Sequence, residues 1–163
     1  MILYHGSLEI VESPLIIESN RTLDFGKGFY TTTSLSQAKR WVELRIPHSK
    51  ATKGFVNIYE YNPQKAKDLH LKNRRFQSPN EAWVDFVKKN RDNKDFEHGY
   101  DIVEGPVAND NVYLSFNLYE TGFINKQELI RRLKAYKLVD QILFHTPEAI
   151  RLLTYKGYKE ISL

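Results

Sequence analysis

This chain predicts a mixed α+β fold, on three observations. Short apolar runs suited to strands are interspersed with amphipathic helices, without the regular alternation of a doubly wound parallel sheet. The 163 residues include 10 Tyr and 9 Phe but no cysteine, so neither a disulfide frame nor a thiolate zinc site supports the core. A chain of this size buries about two thirds of its unfolded surface, enough for one self-sufficient domain over residues 1–163.

Charge and hydropathy narrow the classes further. The 24 Lys+Arg against 20 Asp+Glu give a formal charge of +4, which reads as a slightly basic, solvated surface. No segment reaches the ~20 apolar residues of a membrane span. The opening Met1-Ile2-Leu3-Tyr4-His5-Gly6-Ser7 is too short and too polar for a secretory leader, so a soluble cytoplasmic protein is expected.

The elements follow in order. Ile2-Leu3-Tyr4 predicts a short strand that delivers His5-Gly6-Ser7 into a turn, and Leu15-Ile16-Ile17 is a second apolar run. In Phe25-Gly26-Lys27-Gly28-Phe29-Tyr30, two glycines permit a tight turn or close approach to a ligand. Tyr30 to Thr33 is a strand end. Ser34 with Gln37 reads as a capping box for a helix to about Ile46, with Leu35, Ala38, Trp41 and Val42 on one face and Pro47 ending it. Phe55 to Tyr61 predicts a strand stopped by Pro63.

Pro79 predicts the start of a helix with Ala82, Trp83, Phe86 and Val87 inward. Arg91 to Gly99 reads as a charged loop. Tyr100 to Val103 is a strand running into Gly105-Pro106. Asp110 is the expected cap of a helix over Tyr113 to Tyr119, and Asn125 with Glu128 caps the next, with Leu129, Ile130 and Leu133 inward. Leu138 to Phe144 is a strand. Thr146-Pro147-Glu148 opens a last helix closed by Gly157, and Tyr158 to Leu163 is the final strand.

Several chemistries lack their residues. His5, His48, His70, His98 and His145 are scattered, with no helical i, i+4 pair to hold a metal. There is no Gly-x-Ser-x-Gly elbow. Gly26-Lys27-Gly28 is not a phosphate-binding loop, since Lys27 is followed by glycine instead of Ser or Thr.

The order of the remaining motifs carries more than any one of them. Tyr4-His5-Gly6-Ser7 comes first, then Phe25-Gly26-Lys27-Gly28-Phe29-Tyr30-Thr31-Thr32, then a helix bearing Ala38 and Trp41, with Trp41 eleven residues after Tyr30. This series resembles the ADP-ribosyltransferase superfamily, in the branch of the poly(ADP-ribose) polymerases and diphtheria toxin. Later, Tyr100 to Ala108 and the strand Gln141-Ile142-Leu143-Phe144-His145 resemble a small bacterial family of unknown function, DUF3990, placed in that superfamily.

The resemblance implies a split β-sheet core with surrounding helices and a cleft for NAD⁺ between the two sheets. It implies that His5 bonds the adenosine ribose, that the Gly6 backbone bonds the nicotinamide carboxamide, and that Ser7 helps hold the ligand. Tyr30 and Trp41 would sandwich the cationic nicotinamide ring, while Phe25, Gly26, Gly28 and Thr31 would line the rim. Gln141 stands in the place of the family's catalytic glutamate, and Ala38 where the polymerases have a serine. Glutamine can accept a bond from a ribose hydroxyl but carries no charge. Either Gln141 suffices, or Glu104, Asp101 or Asp110 supplies an acid.

Taken singly, each of these residues has a plainer reading: a turn histidine, core aromatics, turn glycines, a strand glutamine, solvated acids. Their joint order favours the superfamily, and the resemblance implies a transferase that moves ADP-ribose from NAD⁺ to a macromolecular acceptor, protein or nucleic acid, in a bacterial toxin or phage-defence setting, where an antitoxin protein is a candidate partner that the sequence does not reveal. The alternatives are an inactive NAD⁺ or ADP-ribose binding module, an NAD⁺ glycohydrolase, and a nucleic-acid-binding protein.

Overall fold

The apolar start of the chain extends further than its first residues suggest. In the computed structural model, which describes residues 1–18, 22–107, 110–136 and 138–163, β1 spans Ile2–Ser7. His5-Gly6-Ser7 therefore continues the strand instead of turning, because it pairs in register with β3, Lys53–Glu60, with His5 opposite Asn57 and Gly6 opposite Val56. β3 also pairs antiparallel with β7, Thr154–Ser162, which completes a three-stranded sheet in the order β1-β3-β7.

The second sheet has four strands. β2, Phe29–Thr31, pairs with β6, Asp140–Phe144; β6 pairs with β5, Ile102–Pro106; β5 pairs in parallel with β4, Asn73–Arg75. The order is β2-β6-β5-β4. β6 is buried on both faces. Its Ile142 and Phe144 join Leu3, Phe29 and Tyr59 in an apolar cluster between the sheets. Its Leu143 joins Val103 and the helices on the other side.

Those helices are α3, Glu81–Asp92, α4, Asp110–Glu120, and α5, Lys126–Lys134. They contribute Trp83, Val84, Val87, Val112, Phe116, Leu129 and Leu133 to the core. On the opposite flank α1, Leu35–Arg45, lays Ala38 and Val42 on Val56 of the first sheet. The layers thus run α1, three-stranded sheet, four-stranded sheet, α3–α5. Two short helices complete the fold: α2, Pro63–Asp68, and α6, Pro147–Ile150. Among the described residues no helix is long and apolar enough to cross a membrane.

Caps set most boundaries. Ser34 accepts from the Gln37 amide, Asn125 from Glu128, and Thr146 from Ala149. Four expectations change. α3 is capped by Asn80, whose side chain accepts from the Trp83 amide, so Pro79 stands outside it, and α3 runs on to Asp92. Gly157 does not close a helix. It lies inside β7 beside a register shift against Ile58 and Tyr59, a bulge for which its φ of +135° suits glycine. The helix after Thr146 is a single turn. Finally, α1 keeps Trp41 off its buried face, leaving it 40% exposed. The sequence reading missed β4 and also α2, although Asn62 followed by Pro63 is a helix start: Asn62 accepts from the Gln64 amide. The side chain of Asp110 lies outside the described residues.

Gly6 is fixed by the packing of α1. A Cβ there would stand 2.5 Å from the Ala38 carbonyl oxygen and 3.0 Å from Val42 Cγ2. Glycine is therefore needed for the helix to lie on the sheet, whatever else it does. Gly6→Ala is expected to cost about 1–3 kcal/mol by overpacking, seen as a lower urea midpoint; an unchanged midpoint would refute the close approach.

Candidate functional site

Among the described residues, one isolated bridge joins the two sheets. The Tyr4 amide donates to the Thr32 carbonyl at 2.8 Å, and the Thr32 amide returns a bond to Tyr4 at 2.9 Å. Past that point β1 and β2 have no further pairing, and a cleft of ≈1160 Å³ opens between them. This exceeds the ~300–1,000 Å³ of ordinary small-molecule sites and leaves room for a dinucleotide. The cleft gathers His5, Gly6, Ser7, Gly28, Tyr30, Thr31, Trp41 and Gln141. Ladder parity adds one feature: Tyr4 bonds toward Thr32, so Gly6, two residues on, turns its amide and carbonyl to the same free edge of β1.

His5 is set by its neighbours. Its Nδ1 donates to the Tyr30 carbonyl at 2.7 Å, which leaves Nε2 as an acceptor. Its ring lies 4.2 Å from that of Phe29, and burial pushes its pKa below the usual histidine range. Beside it, buried Asn57 fixes the strand after Ser7: it accepts from the Val11 amide at 2.8 Å and donates to the Glu9 carbonyl at 3.1 Å.

Residues Phe25 to Gly28 are held from behind by three rings acting on their backbone. The Tyr30 hydroxyl donates to the Gly26 carbonyl at 2.5 Å and accepts from the Phe25 amide at 3.1 Å. His98 Nε2 donates to the Phe25 carbonyl at 2.9 Å, and His145 Nδ1 to the Lys27 carbonyl at 2.6 Å. The rings of His98 and His145 lie 4.3 Å apart, although 47 residues separate them in sequence. Phe25 and Gly26 therefore do not line the cleft. Phe25 is a core residue against Phe76 and Phe86, because its side chain points into the helical layer. Gly28 does reach the cleft, where its φ of +147° and the Phe144 carbonyl, 2.5 Å from any Cβ, demand glycine.

Tyr30 and Trp41 line the same cleft, with no ring contact between them among the described residues. Burial pushes the Tyr30 phenol well above its ordinary pKa, and Asp24 and Tyr113 push the same way. Trp41 has the Arg45 guanidinium 4.8 Å from its ring centroid on one side and the His5 ring at 6.5 Å. Sequence reasoning missed Arg45, although it follows Trp41 by one helical turn.

Gln141 is 7% exposed, and its Nε2 donates to the Pro106 carbonyl at 3.5 Å, leaving Oε1 for a ligand. Of the alternative acids, Glu104 and Asp101 do not join it, and the side chain of Asp110 lies outside the described residues. Glu104 lies on the opposite face of the sheet from Gln141, near Asn73 Nδ2 at 3.4 Å, and Asp101 is consumed at the other strand end by Thr146 Oγ1 and the Lys72 amide. Neither lines the cleft. The acids that do are Glu9, Glu12, Asp24 and Asp140. Asp140 is taken up by the hydroxyls of Thr32 and Thr33 and the Thr33 amide. Asp24 is buried beside Tyr30 and accepts from Arg91 Nε at 3.1 Å. It was invisible in sequence because the arginine that stabilises it comes 67 residues later.

A family model described as a protein of unknown function, DUF3990, matches residues 1–155. No curated protein and no solved structure matches the chain.

Two buried histidines give the site a pH limit. Burial lowers the pKa of His5 and of His98, the latter also through the nearby His145, from an ordinary value of 6.5. Both are neutral in the folded state, so the stability they contribute is complete above about pH 6.5 and is lost as pH falls through their folded values. The urea midpoint is expected to fall between about pH 7 and pH 5, and less steeply for His98→Gln. A midpoint that does not change over that range would contradict the burial argument.

Proposed function

The chain belongs to the DUF3990 family, and we propose that it is an ADP-ribosyltransferase that takes NAD⁺ into the cleft between its sheets. The observation that carries this reading is convergence. His5, Gly6, Ser7, Tyr30, Thr31, Trp41 and Gln141 come from β1, β2, α1 and β6, and all line one cleft.

In this reading the Gly6 edge amide and carbonyl bond the nicotinamide carboxamide, and His5 Nε2 accepts from a ribose hydroxyl. Trp41 offers its ring to the cationic nicotinamide. The nicotinamide–ribose bond breaks with its electron pair leaving on nicotinamide. The ribose becomes oxocarbenium-like, and an acceptor oxygen or nitrogen forms the new bond at that carbon and loses its proton. Gln141 Oε1 accepts from the 2′-hydroxyl and so orients the ribose, but it supplies only a dipole where a carboxylate would supply a charge.

That uncharged side chain favours a second reading, an NAD⁺ binder without turnover. Nicotinamide release separates them. The transferase releases nicotinamide when acceptor is present and loses this with His5→Ala, whereas the binder gains melting temperature with NAD⁺ and releases none. Trp41→Ala is expected to weaken NAD⁺ by about 1–2 kcal/mol. Gln141→Glu is expected to speed release by roughly 5–30-fold, the ~1–2 kcal/mol by which a charged hydrogen bond exceeds a neutral one. An unchanged rate would remove Gln141 from the reaction.

A further inference from the structure

The modest basic excess of the chain is not spread over its surface. Residues 63–76 carry Lys65, Lys67, Lys72, Arg74 and Arg75 against the single acid Asp68, a net +4 that equals the formal charge of all 163 residues. The rest of the chain sums to zero. Several cations elsewhere face acids, as in Lys27 with Glu97, Lys53 with Glu160, Lys88 with Asp92 and Arg91 with Asp24. Among the described residues, none of the five in this segment forms an ion pair, and Asp68 accepts from Gln64 instead.

The segment is α2 and β4, joined where the Leu71 amide bonds the Ala66 carbonyl. β4 is the edge strand of its sheet, so its outer backbone has no strand partner. Lys65, Lys67, Lys72 and Arg75 are exposed, and Arg74 is held 4.5 Å over the Phe76 ring. Register relates this segment to the cleft. Arg74, opposite Val103, shares the sheet face of Gln141, while Arg75, opposite Glu104, is on the other face. At about 4.8 Å per strand, the backbone of β4 at Arg74 and Arg75 lies roughly 10 Å from that of Gln141 at the same end of the sheet.

We propose that α2 and β4 form a docking strip for the phosphate backbone of a nucleic acid, which brings a nucleotide to the Gln141 end of the sheet as acceptor. Docking itself does not depend on the transferase reading; only the role of acceptor does. A segment of exposed cations without ion pairs matches the phosphate charge of a polyanion. A lipid surface would call for an apolar face beside the charge, and Leu69 is the one large apolar side chain exposed within the segment.

Binding of labelled ~20-nucleotide single-stranded DNA and RNA, followed by anisotropy without NAD⁺ from about 50 to 300 mM salt, tests this. The expected slope of log K against log salt is about −2 to −3, for three or four phosphates at ~0.7 each. The combined variant Lys65→Gln, Lys67→Gln, Lys72→Gln, Arg75→Gln should lose at least ~10-fold and flatten the slope. The combined control Lys50→Gln, Lys94→Gln, Lys159→Gln removes exposed lysines elsewhere and should bind within about twofold of the parent. Circular dichroism checks that both variants fold. Equal loss in both, or binding to phosphatidylserine vesicles or polyglutamate without binding to either oligonucleotide, would overturn the proposal. Nicotinamide release is read separately, so a failure of the NAD⁺ reading leaves the docking result standing.

Discussion

Two hydrogen bonds between Tyr4 and Thr32 decide the shape of this protein. They join the sheets at a single point and allow them to separate immediately beyond it. Had the pairing continued, Gly6 would spend its edge amide and carbonyl on β2 and no cleft would exist. Asp140 guards the point where pairing stops, because its carboxylate takes the hydroxyls of Thr32 and Thr33 together. The cleft is thus the place where a continuous sheet was interrupted, and the polar backbone of β1 is left facing it.

The residues that build the cleft and those that line it are largely different. Phe25 lies wholly in the core, yet its amide and carbonyl are gripped by Tyr30 and His98. Trp83 and Gln141 share the Pro106 carbonyl, which links the cleft wall to the first turn of α3. The chain from Phe25 to Gly28 therefore has no freedom of its own. Its position is an outcome of how β2, β6 and α3 pack, and of these four residues Gly28 reaches the cleft.

Much of this was legible in sequence where the signal is local. Ser34, Asn125 and Thr146 cap helices because each is followed by an amide its side chain can reach. Tyr30 and Trp41, which the resemblance grouped, line one cleft. Legibility failed where one residue type serves two geometries. Gly157 suits a helix end and a bulge equally, since both use positive φ. Pro79 and Asn80 both suit a helix start, and only the bond to Trp83 decides between them. It failed again where partners are remote: Asp24 with Arg91, His98 with His145. Glu104 looked eligible as an acid because alternation along β5, which turns it away from Gln141, is not visible until the register is known.

β7 bears a liability of a different kind. It is the outer strand of its sheet, nine residues long, and its far edge offers unpaired backbone to any passing strand. Such edges seed aggregation when they are flat and apolar. Here the bulge at Gly157 breaks the flatness, and Lys156 and Lys159 put charge beside it. Those lysines contribute little to the cleft or to the core, yet exchanging them for valine or isoleucine would make the edge a template for strand addition.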